Sequence, residues 1–157
     1  MKRRSPRWLW VTAPLWLMGC EPELVFEGPA TLEIGTGEFS FEPIEDRQHL
    51  PIVSGTQGGH HVWLGIRATE LDPREVRVDT RVFFGESENS AGSPLFFYAR
   101  MFDGPSGDLE YAGLLLQMNR TRVREMNIRV EVTVTDRGGR TASDAVMIVP
   151  TEEDIEE

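Results

Sequence analysis

The sequence predicts an all-β domain, an antiparallel β-sandwich of seven to nine strands over residues 30–150. Two observations carry this prediction. Apolar and polar residues alternate with a period of two along several runs, and clusters of Gly, Pro, Asp and Ser separate those runs at spacings of about ten residues. A third observation is negative: beyond residue 30 no stretch has a convincing helical period. Strands with one apolar face need a second layer to bury it, and two such layers make a sandwich.

Taken in order, candidate strands lie at about residues 30–34, 38–42, 49–53, 60–69, 75–84, 94–102, 110–118, 127–135 and 141–149. Two are the clearest. Val76, Val78, Thr80, Val82 and Phe84 share one parity, with Arg77, Asp79 and Arg81 on the other. Ile128, Val130, Val132 and Val134 alternate with Arg129, Glu131, Thr133 and Thr135. Residues 85–94 form a polar loop, and Asp103-Gly104-Pro105-Ser106-Gly107 forms a turn. Asp136-Arg137-Gly138-Gly139 sits between the last two runs and marks a hairpin. Residues 151–157 carry five acids in seven positions and read as a solvated, frayed acidic tail.

The charge is split unevenly. Lys2, Arg3, Arg4 and Arg7 supply four of the sixteen basic residues, and no acid precedes Glu21. From Cys20 onward 12 basic residues face 26 acidic ones, a net of −14. Such a domain repels phosphate backbones, so no nucleic-acid partner is expected. Cys20 is the only cysteine, so no intramolecular disulfide is available and the fold rests on its core. No cofactor motif is present.

The start of the chain is organised differently. Residues 1–7 are basic, and residues 8–18 are apolar except for Thr12 and Pro14. Eleven residues are about half of what a bilayer-spanning helix needs, and the pattern is that of a secretory signal. Leu17-Met18-Gly19-Cys20 resembles the lipobox of bacterial lipoprotein precursors, with an aliphatic residue at −3, a small residue at −1 and the cysteine. Met18 departs from the more usual Ala or Ser. The resemblance implies a signal peptide over residues 1–19, cleavage between Gly19 and Cys20, and acylation, including palmitate, at Cys20. It implies a membrane partner reached through that lipid. Glu21 is not the Asp that resembles an inner-membrane retention signal, which favours the outer membrane. Residues 20–29, with Pro22, Gly28 and Pro29, read as a linker.

The segment from Val132 to Asp144, with its valine-rich strand, Asp/Gly turn and following Thr-Ala, resembles the closing hairpin of immunoglobulin-like and PKD-like domains. That likeness makes the expected fold an immunoglobulin-like sandwich. The cysteine pair of antibody domains is absent, and Trp63 is the candidate for a buried aromatic between the sheets.

The most distinctive local stretch is Ser54-Gly55-Thr56-Gln57-Gly58-Gly59-His60-His61-Val62-Trp63. Its Gln57, Gly58, Gly59, His61, Val62 and Trp63 resemble a Gln-Gly-Gly-x-His-Val-Trp stretch of uncharacterised lipoproteins, a likeness that implies no activity. Gln57, His60, His61 and Trp63 are the candidate ligand-binding residues. Imidazole suits copper or zinc. Yet adjacent histidines on a strand point to opposite faces, so a metal site needs His49 or carboxylates brought in by folding. The competing reading has His61 packed near the glycine-rich bend and His60 exposed.

Asp103, Asp108 and Glu110 flank a glycine-rich turn but lack the ligand density of a calcium loop, and an acidic turn is the simpler reading. Asn119-Arg120-Thr121 fits a glycosylation triplet by chance. Catalysis is not expected. Acylation blocks the only thiol, and no serine sits in a Gly-x-Ser-x-Gly elbow. The expected function is a lipid-anchored, non-enzymatic envelope module that binds a protein or glycan partner, with metal handling through His60 and His61 as the alternative. Arg120, Arg122 and Arg124 form a cluster suited either to acidic partners or to rim salt bridges.

Overall fold

A computed structural model describes residues 24–55 and 59–152. Within these residues the chain is all-β. The strands are β1 (Thr31–Thr36), β2 (Glu42–Pro43), β3 (Gln48–Ser54), β4 (His60–Thr69), β5 (Val76–Phe84), β6 (Leu95–Ala99), β7 (Phe102–Asp103), β8 (Leu109–Met118), β9 (Ile128–Asp136) and β10 (Thr141–Glu152). A four-residue helix, α1 (Arg120–Val123), links β8 to β9.

The alternating runs fold as their period dictates. Val76, Val78, Thr80 and Val82 of β5 are buried, as are Ile128, Val130, Val132 and Val134 of β9. Facing them across the core are Val62, Leu64, Ile66 and Ala68 of β4 and Leu114, Leu116 and Met118 of β8. Each such Val, Leu or Ile contributes about 1.5–3 kcal/mol by leaving water.

The expectation of two separate antiparallel sheets needs correction. The strands form one curled, mixed sheet, a half-barrel, because β3 belongs to both layers. Its first part pairs parallel with β10, from Gln48 opposite Ile148 to Ile52 opposite Glu152. Its last two residues, Val53 and Ser54, pair antiparallel with His61 and His60 of β4. On the same side the Asp144 carboxylate accepts the Ile34 backbone N–H at 2.9 Å, tying β1 to β10. The opposite side closes by side chains, with the rings of Phe97 and Tyr111 5.7 Å apart.

Several boundaries also differ from the sequence reading. The expected strand at 38–42 shrinks to β2, because Ser40 and Phe41 belong to a turn that lays the Phe41 ring on β1. The expected strand at 94–102 breaks at Arg100 and Met101, where the Met101 N–H donates to the Pro73 carbonyl. The short helix α1 was not expected, and its Val123 is fully buried. β10 runs on through Thr151 and Glu152, which the sequence reading assigned to a frayed tail. Trp63 is not the aromatic between the layers: it points outward, while its neighbours Val62 and Leu64 fill the core.

The pairing registers define two poles. β4 runs from His60, beside Met118, to Thr69, beside Thr31. The pole at Thr31 and Thr69 also holds the β4–β5 connection and the β9–β10 turn, and here the chain enters the domain. The Phe26 ring lies 4.4 Å under the Arg140 guanidinium, and the Glu27 N–H donates to Glu70 at 2.8 Å. Arg140 also donates to the carbonyls of Glu70 and Gly28.

A buried carboxylate pair organises this entry pole. Asp136 accepts the backbone N–H groups of Asp72 and Arg140, each at 2.9 Å. Asp72 in turn accepts Arg74 Nε at 2.7 Å and Arg137 Nε at 2.6 Å. The Arg74 hydrogen bonds, with help from Arg137, hold the Asp72 carboxyl well below the usual carboxylate range despite the opposing effect of burial. A depressed folded-state pKa stabilises the fold above the unfolded value, near 3.9, and that contribution disappears as pH falls further. Asp72→Asn is therefore expected to cost about 2–3 kcal/mol at pH 7. The gap to wild type should narrow steadily below about pH 4. Urea unfolding of both proteins at pH 7 and pH 2.5 checks this, and a gap independent of pH would refute the ionic account.

Candidate functional site

Gly19, Cys20 and Gln57 lie outside the described residues. His60, His61 and Trp63 lie in the half of β4 toward the pole opposite the chain entry. Gly55 and Gly59 clasp the bend before β4, the Gly55 N–H donating to the Gly59 carbonyl at 2.8 Å. The bend ends in the antiparallel start of β4, which sends its first two side chains to opposite faces.

His61 takes the outer face. Its ring stands edge-on to Trp63 with centroids 4.7 Å apart, and its Nε2 is enclosed with no hydrogen-bond partner among the described residues. Trp63 is anchored from behind, because the Thr36 hydroxyl donates to its carbonyl at 2.7 Å. This is a packed aromatic pair beside the glycine bend. His60 takes the other parity and lines a groove. Among the described residues no three His, Cys, Asp or Glu side chains come together as a metal-binding group. Among the described residues, then, no such group forms at His60 or His61. Asp108 and Glu110 turn instead toward the Arg67 guanidinium, at 3.9 and 3.2 Å.

The groove has a volume of about 1250 Å³. One wall is the end of β8 with α1, and the other is the 90–95 segment leading into β6. Glu152, at the end of β10, reaches in from the side. The 90–95 segment is held in shape by the Ala91 N–H, which donates to the Val82 carbonyl at 2.9 Å, and by the Ser90 hydroxyl, which donates to the Gly92 carbonyl.

The charge of the groove opposes that of the domain. Its lining holds three arginines, Arg120, Arg122 and Arg124, and one carboxylate, Glu152. Arg120 Nη2 and Arg124 Nη1 both contact the same oxygen of Glu152, at 2.6 and 2.7 Å. These two hydrogen bonds, Arg124's first, keep the Glu152 carboxyl below its ordinary range. Arg122 makes no ion pair among the described residues and lies 5.5 Å from the Phe84 ring centroid. A net excess of positive charge thus collects in one concavity of a −14 domain. Guanidinium groups bind carboxylate, sulfate and phosphate oxygens in fixed geometry and do not exchange protons near neutral pH, so the groove is suited to holding an anion.

The sequence had flagged the arginines by their spacing of two. It missed Ser90, Gly92 and Glu152, which reach the groove from distant segments. Only the acidity of Glu152, opposite in sign to the cluster, hinted at the pairing.

No protein-family model matches the chain, and no curated protein sequence matches it. Among the described residues no helix is long and apolar enough to cross a membrane.

Proposed function

We propose that this chain is a lipid-anchored protein of the bacterial cell envelope, in the outer membrane, whose β-domain is a non-enzymatic binding module. The observation that carries the binding role is the arginine-lined groove in an otherwise strongly acidic domain. The anchor reading rests on the lipobox ending at Cys20. The strand pairings support an immunoglobulin-like architecture: β4 with β8 in one layer, β5 with β9 and β10 in the other, and a hairpin between β9 and β10.

The geometry suits such a tether. Phe26 docks at the entry pole, and the six residues back to Cys20 reach at most about 20 Å. The groove lies at the other end of β4, a ten-residue strand about 30 Å long. A domain held by Cys20 therefore presents its groove away from the bilayer, toward a soluble or opposing partner.

Site-specific photocrosslinking in intact cells tests the binding role. A photoreactive residue at Ser93, on the lip of the groove, should give discrete adducts, and one at Arg77, on an outer strand face, should not. The Ser93 adducts should disappear when Arg120 and Arg122 are both changed to Glu. Adducts indifferent to that reversal, or none from Ser93, would overturn the assignment of the groove.

A further inference from the structure

Glu152 is more than a surface ion pair. It is the last described residue of an extended strand, and its carboxylate sits between two arginines at the mouth of the groove. Its strand is held by pairing with β3, with Glu152 opposite Ile52, which fixes the direction from which the carboxylate arrives. The groove thus already holds, within the same chain, an acidic side chain delivered by an extended backbone.

Two further observations bear on what else fits there. Arg122 carries a charge that Glu152 does not neutralise, so the groove has capacity for a second anionic group. Around the arginines the lining is short and polar, with Ser90, Ser93, Asn119 and Thr121. Those side chains offer hydrogen bonds to a peptide backbone, and the 90–95 segment leads directly into β6.

From this arrangement we propose that the groove receives an acidic peptide segment in extended conformation, and that Glu152 is the built-in occupant such a segment must displace. The inference rests on the binding role assigned above and names its partner class. Binding then has two parts. The incoming carboxylates exchange with Glu152 at Arg120 and Arg124, and a neighbouring acid meets Arg122. A site populated by its own competitor shows an affinity lowered by the fraction of time it is closed. Glu152 also stands directly before Glu153, Asp154, Glu156 and Glu157 in the sequence, so the competitor is part of an acidic segment of the same character as the proposed ligand.

The test uses the full-length protein in detergent and a fluorescein-labelled peptide of sequence Thr-Glu-Glu-Asp-Ile-Glu-Glu, with binding read by anisotropy. Wild type should bind weakly, and binding should weaken as salt rises. Glu152→Gln should bind about tenfold more tightly, as expected when an occupant present about nine-tenths of the time is removed. Glu75→Gln removes the same charge near the entry pole and should leave affinity unchanged. The double variant Arg120→Gln/Arg124→Gln should lose binding. Equal affinities for the two glutamate variants would overturn the role of Glu152. If polygalacturonate binds in an arginine-dependent way and the peptide does not, the peptide class is wrong while the groove assignment stands. If neither probe binds any variant, the inference fails, and the crosslinking result decides separately whether the groove binds anything.

Discussion

Replacing Cys20 by alanine is expected to abolish fatty-acid labelling and release the domain from membranes. No intermediate result is expected, because every acyl chain would be attached at that one residue. A single acyl chain gives a membrane affinity of only about 10⁴ M⁻¹, whereas two or three chains hold a protein essentially permanently. From Cys20 onward the net charge of −14 is repelled by anionic headgroups. The fold should be unaffected. Among the described residues the tertiary contacts nearest Cys20 are those of Phe26 and Glu27, so unfolding free energies should agree within about 0.5 kcal/mol. Metabolic labelling with radioactive palmitate followed by membrane fractionation reads the effect. Label persisting in the alanine variant would overturn the lipobox assignment.

Gly35→Ala is expected to be among the most damaging single methyl additions to the fold, at about 3 kcal/mol. Gly35 and Gly65 pair across β1 and β4, and the Phe41 ring lies against both. A Cβ on Gly35 would stand 2.5 Å from that ring and still closer to the Glu42 carbonyl oxygen. The oxygen belongs to the backbone of β2, so no rotamer change relieves the clash. Phe41 has little room to lift, because the Arg67 guanidinium covers it at 4.1 Å and is itself tied to Glu33 and Glu110. Gly28→Ala is the control, since a Cβ there meets only the Glu70 side chain at 4.0 Å. The urea midpoint should fall sharply for Gly35→Ala and hardly move for Gly28→Ala. Similar midpoints for both would show that the turn carrying Phe41 yields easily.

These predictions separate two kinds of information. The alternation in β5 and β9 was legible because a strand at the core has a strict period of two, and each valine of those runs is buried as its parity requires. The β9–β10 hairpin was legible for the same reason, with turn residues between two such runs. The division of the chain into a basic leader, a single cysteine and an acidic domain was also local in sequence. So was the presence of three arginines near residue 122.

What the sequence could not carry was which edge meets which. β3 pairs parallel with β10 across about a hundred residues and antiparallel with its neighbour β4, and no local pattern encodes that double membership. The sheet therefore curls into a half-barrel where two separate sheets were expected. The inward parity of Val62 and Leu64 turned Trp63 and His61 outward, against the expectation of a tryptophan between the layers. The same long-range pairing brings Glu152 to Arg120 and Arg124 and sets the 90–95 segment opposite them. The sequence by itself determined the strand character and the charge imbalance, because each depends on neighbours along the chain. Only the tertiary structure decided that the arginines line a groove at the pole away from the chain entry, and that this groove holds a carboxylate of the same chain. Such arrangements depend on contacts between residues far apart in sequence, whose pairing is fixed by how the whole sheet closes.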